Sequence, residues 1–189
     1  MNQPVPGPGA ILGLFADIAR LRRGPEDLPA SSTLLLLTIV AYAALDALLL
    51  SITPGLPGNS IVLIAIDMAV TLAWYAMLLR IAQKPERYLQ TVTAVLGFQL
   101  VLAPILLASG WLFLKYQADT TWQLPASMVR LAVEVWALIV LSRILRSATG
   151  WPMFGCVALS IGQELVTLML ASAVVPGAAV AGAAAAAAT

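Results

Sequence analysis

Four acidic residues sit inside strongly apolar stretches of this 189-residue chain: Asp46, Asp67, Glu134 and Glu164. Three more polar groups keep them company, Gln99, Arg130 and Gln163. An acid at the centre of a membrane span costs roughly 2.5–3.5 kcal/mol on insertion scales, so such residues are retained for a reason. One basic group among four acids supports two kinds of chemistry. In the first, Arg130 bridges Glu134 and an aspartate, the remaining acids bond to Tyr42, Thr71 or Gln99, and the network glues helices together. In the second, carboxylates crowded in a dry site share protons and relay them, or bind a cation. A third use is a groove that receives a partner.

The spacing places several of these groups together. Arg130 and Glu134 lie one helical turn apart on one face. Ser160, Glu164 and Thr167 share a face by the same rule. Asp46 lies six residues before the end of its stretch, and Asp67 six residues after the start of the next. At about 1.5 Å per residue the two carboxylates of that antiparallel pair sit at similar depth, about 9 Å from one boundary.

The elements that must hold these residues are five apolar stretches, at about 32–52, 61–82, 88–114, 127–145 and 153–175. Each is long enough to cross a bilayer as a helix. The composition agrees: 61% of residues are hydrophobic, 10% are charged and mean hydropathy is +0.94. Soluble domains carry about 25% charged residues. The expected fold is therefore an all-α polytopic membrane domain over 32–175, ahead of an alanine-rich low-complexity tail at 176–189. Pro104 inside the third stretch predicts a kink.

The first 31 residues form a separate N-terminal segment. Residues 1–9 are rich in Pro and Gly, which predicts disorder. Residues 10–23 place Ile11, Leu14, Phe15 and Ile18 at helical i, i+3, i+4, i+7 spacing. With Arg20, Arg22 and Arg23 at its end, this segment reads as a short interfacial helix contacting anionic headgroups. The alternative is packing against one end of the bundle. Gly24 suits the left-handed position that ends that helix, and Ser31 or Ser32 can cap the next.

Basic residues alternate between the connections. Arg20, Arg22 and Arg23 precede the first span, the 53–60 loop has none, and Arg80, Lys84 and Arg87 follow the second. Lys115, opposed by Asp119, follows the third, and Arg143 with Arg146 follows the fourth. By the positive-inside rule the N-terminus is cytoplasmic and the C-terminus periplasmic, in a bacterial inner membrane. Tyr88 and Trp151 fall at the inner boundary, and Trp111, Tyr116 and Trp122 at the outer one. No cleavage pattern or basic residue marks residues 1–10, so the first span is expected to target the chain.

Several function classes are disfavoured. There is no histidine, and Cys156 is the one cysteine, so common metal sites and intrachain disulfides are out. No phosphate-binding loop, nucleophile elbow, zinc-protease motif or dinucleotide fingerprint occurs. The aspartates lack the adjacent glycine of an intramembrane aspartyl protease. A net charge of +1 gives no field for nucleic acid. The expected role is non-enzymatic, with no cofactor and no bound metal. The partners are the lipid bilayer and a membrane protein or a second copy. Ala158 and Gly162 form a small-xxx-small pair of the kind that allows close helix contact.

The layout also carries a resemblance. A leading segment and five closely spaced spans, with Gly24-Pro25 and Asp27-Leu28-Pro29 just ahead of the first, resemble the Yip-domain family. That family often has Asp-Leu followed shortly by Gly-Pro at this place; here the order is reversed. The stretch also resembles small inner-membrane proteins of proteobacteria. The resemblance implies a five-span fold and, from the eukaryotic members, a role beside small GTPases in vesicle trafficking. It assigns no catalytic residue. The function expected first is an accessory or scaffold in a membrane complex. A small proton- or ion-coupled transporter is the alternative, and a lipid-handling protein the third.

Overall fold

The computed structural model describes residues 8–52, 60–116, 118, 119 and 121–174. The proline- and glycine-rich start, the uncharged 53–60 loop apart from Ser60, and the alanine-rich tail lie outside the described residues. Among the described residues six α-helices carry the fold: α1 (Pro8–Ala19), α2 (Ser32–Ile52), α3 (Ser60–Ile81), α4 (Tyr88–Tyr116), α5 (Gln123–Thr149) and α6 (Met153–Val174). Two 3-10 turns, Pro25–Asp27 and Pro85–Arg87, join α1 to α2 and α3 to α4. No strand occurs among the described residues.

Four helices, α3 to α6, are long and apolar enough to cross a membrane. The stretch of α2 with described side chains, Ser32–Leu48, is apolar but shorter. Outward faces carry large apolar side chains, as at Leu36, Leu37 and Val40 on α2 and Leu165, Leu168 and Met169 on α6. In water such a surface would be an aggregation site; in a bilayer it is the solvated face.

α4 is the central element. Every residue from Thr91 to Phe98 is buried, so this part of the helix has neighbours all round. It packs on α2, α3 and α5, while α6 closes the far side between α3 and α5. α2 and α5 barely touch. α4 runs unbroken through Pro104. α5 is longer than its apolar stretch at both ends. Pro125 lies in its first turn, where a missing N–H is harmless, and Gly150 ends it at φ 83°.

α1 belongs to the same core. Phe15, Ile18 and Ala19 are 3%, 2% and 3% exposed, against α4. Gly97 of α4 makes room for Phe15, because a Cβ there would overlap the ring. Trp136 of α5 donates its indole N–H to the Ala19 carbonyl at 3.2 Å and meets Phe98 edge-on. The periodic apolar face of the N-terminal segment is thus turned to the bundle, and Leu12 faces outward.

The ends of α1 correct the sequence expectation. The helix stops at Ala19 rather than running to residue 23, and Leu21, not Gly24, takes the left-handed position at φ 61°. Leu21 N–H donates to the Ile18 carbonyl and Arg22 N–H to that of Asp17, a Schellman closure. Gly24 instead opens the Pro25–Asp27 turn, where the Asp27 carboxylate accepts its N–H at 3.2 Å. Arg22 and Arg23 therefore lie in a connection. Ser31 caps α2, accepting the Leu34 N–H at 3.3 Å.

The basic connections do unequal work. Lys84 donates to the Thr149 carbonyl at 2.8 Å, and Arg87 to those of Ser147 and Ala148 at 2.9 and 3.4 Å. These are the orphan carbonyls of the α5 C-terminus, where a cation also meets the negative end of the helix dipole. At the opposite end Lys115 stacks over Trp111 and Tyr116 rather than pairing with Asp119. Asp119 instead accepts the N–H groups of Thr121 and Trp122 and turns the chain into α5.

Candidate functional site

A cavity of about 620 Å³ opens among α2 to α6, within the range of small-molecule sites. Its polar lining comprises Tyr42 and Asp46 from α2, Asp67 from α3, Gln99 from α4, Arg130 and Glu134 from α5, and Ser160 and Glu164 from α6. Leucines from α4 and α5 complete the wall. Six of the seven residues that the sequence singled out as a polar set converge here. The equal-depth argument for Asp46 and Asp67 explains why: antiparallel neighbours bring residues equally far from their shared loop side by side.

Gln163 is the exception. It is 5% exposed, turned away from the cavity, and donates to the Thr71 hydroxyl at 3.1 Å, tying α6 to α3. Its neighbour Glu164 points elsewhere because consecutive helical residues lie about 100° apart. Thr71 is therefore spoken for by Gln163.

Arg130 pairs with Glu134 at 2.9 Å, within one helix. No ion pair from Arg130 to an aspartate occurs among the described residues. Its guanidinium lies over Gly110 of α4, 3.0 Å from where a Cβ would stand, so the absence of a side chain there leaves it space. Tyr42 donates its hydroxyl to Asp67 at 2.9 Å, joining α2 to α3. The Gln99 side-chain oxygen is buried without a hydrogen-bond partner.

The network is thus only partly glue. Tyr42–Asp67 and Thr71–Gln163 cross between helices; Arg130–Glu134 does not. Asp46 and Glu164 add carboxylates to the wall; Gln99 lines it too, but its side-chain oxygen is buried and does not open onto the cavity. Together they make an oxygen-rich chamber with one cation held to one side. Ionisable groups lining such a chamber can pass a proton or a small cation from one to the next. No cluster of metal-ligating side chains of the usual kind occurs among the described residues.

The sequence singled out neither Gly97 nor Gly110, since isolated glycines in apolar stretches carry no pattern. The Ala158 and Gly162 pair forms no tight seam. Ala158 is exposed, and a Cβ at Gly162 would meet Trp74 at an ordinary 3.6 Å.

Comparison with protein-family models, with curated proteins and with solved structures finds no match to this chain.

Proposed function

We propose that this chain is a five-span, non-enzymatic protein of a bacterial inner membrane that binds and moves a small cation or a proton through its acid-lined cavity. The observation that carries the reading is the convergence of Asp46, Asp67, Glu134, Glu164 and Gln99 on one cavity within the span region. Ionisable groups at membrane depth that line a chamber mark ion and proton pathways. The cytoplasmic end is the one carrying Arg22, Arg23, Arg80, Lys84, Arg87, Arg143 and Arg146, with the C-terminus outside. α2 is the fifth span, of 21 residues. The test is cation and proton flux in proteoliposomes, with Asp46→Asn as the disabled control. Absence of flux under every imposed gradient sinks the reading.

A second reading, an accessory or scaffold in a Yip-like complex, is favoured by polar side-chain bonds that cross between helices, such as Tyr42–Asp67 and Thr71–Gln163. Here the acids fix helix positions, and the partner is a membrane protein or a second copy. Its signature is a stable co-purifying partner or self-crosslinking, with Asp67→Asn losing assembly rather than transport.

A further inference from the structure

At the basic end a second cleft, of about 710 Å³, lies between the α1–α2 connection and the last turns of α5. Four arginines line it, Arg22, Arg23, Arg143 and Arg146, along with Glu26 and Asp27. The two acids are held by neutral donors and keep their charge, but four arginines outnumber them. Glu26 accepts the Ser147 hydroxyl, and Asp27 accepts the Gly24 N–H. Arg23 pairs with Asp17 at 3.4 Å. Arg22, Arg143 and Arg146 have no carboxylate partner among the described residues. Unlike Lys84 and Arg87, they also cap no helix. Three guanidinium groups are therefore free to meet an anion, and their planar forks suit phosphate oxygens.

The outer surface of α5 says what kind of anion. Leu131, Val135 and Ile139 are exposed by 55%, 47% and 41%, one turn apart in a single stripe. The next position on that stripe is Arg143, also exposed. Ile139 lines the cleft together with Arg143. The stripe from Leu131 to Arg143 is about 18 Å long, close to the roughly 15 Å half-thickness of a bilayer core. A greasy track that ends in unpaired arginines matches an acyl chain that ends in a phosphate.

We propose that this cleft is a binding site for an anionic phospholipid. The headgroup phosphate lies among Arg22, Arg143 and Arg146, and one acyl chain follows Ile139, Val135 and Leu131. The site is separate from the acid-lined cavity, so it stands whether or not that cavity moves an ion. The α1–α2 connection forms one wall, so bound lipid also fastens the N-terminal segment to the bundle.

The test is native mass spectrometry of the full chain, released from bilayers of phosphatidylcholine and phosphatidylglycerol with matched acyl chains. Phosphatidylglycerol is expected to be retained in preference. Arg143→Gln with Arg146→Gln should lower that retention roughly tenfold or more. Arg143→Lys with Arg146→Lys should keep most of it, and Arg80→Gln, at the same end but outside the cleft, should keep all of it. Arg22→Gln, in a connection where it cannot unfold a helix, should weaken retention alone. Equal retention of the two lipids overturns the proposal, as does full retention in the glutamine variants. Displacement by millimolar inorganic phosphate or glycerol phosphate also overturns it, because the site would then take a soluble phosphate.

Discussion

The Tyr42 hydroxyl donates to the Asp67 carboxylate at 2.9 Å, so one hydrogen bond both joins α2 to α3 and holds an acid at the cavity wall. Side-chain hydrogen bonds between membrane helices average about 0.6 kcal/mol and reach about 1.7. Tyr42→Phe should therefore cost about 0.5–1.7 kcal/mol in reversible unfolding from detergent. In a double-mutant cycle with Asp67→Ala, which removes the acceptor, most of that loss should appear as coupling. Additive effects would mean that the bond holds nothing.

The contact of Phe15 with Gly97 makes a different prediction. A methyl at Gly97 has nowhere to go but into the ring, so Gly97→Ala should destabilise by about 1–3 kcal/mol, the usual cost of overpacking. It should also expose α1 to protease. Phe15→Leu in the same chain should restore much of the protection. Gly97→Ala without effect on α1 would show that the segment does not rest on α4.

Helix ends supply a paired test. Gly150 is left-handed, and a Cβ there would stand 3.2 Å from Lys84 Nζ. Gly150→Ala should lose about 1 kcal/mol or more from the backbone alone. Gln83 holds the same conformation at φ 57° at the end of α3, and its side chain is exposed. Gln83→Gly should therefore gain up to about 1 kcal/mol. The thermal midpoints of the two variants should move in opposite directions.

The apolar helices were legible to different degrees: α2 starts and ends at the residues that hydropathy selects, while α5 runs from Gln123 to Thr149, past its apolar stretch at both ends. The meeting of Asp46 with Asp67 was legible from their equal distance to a short loop. Gln163 joins the polar set through Thr71 rather than at the cavity, because depth alone says nothing of rotation about the helix axis. The α1 boundary was missed because a leucine, not the nearby glycine, takes the left-handed turn. The division of the basic residues into helix caps and free arginines depends on which side chains reach the α5 carbonyls. Charge counting along the chain does not contain that.

Gln99 separates stability from function. Its side-chain oxygen is buried without a partner, and leaving an acceptor unpaired costs about 1–3 kcal/mol. Gln99→Leu should therefore hold or raise thermal stability while lowering flux. A variant that is less stable yet transports normally would assign Gln99 to structure instead.

The carboxylates around the cavity are proposed to carry a cation or a proton. The most direct test of that role is flux in proteoliposomes for wild type and Asp46→Asn, normalised to folded protein. Wild-type flux should be measurable, and the variant should lose at least about tenfold, a barrier change of about 1.4 kcal/mol, with the fold intact. Equal flux in the two proteins, or none in either under proton, sodium and potassium gradients, would contradict it.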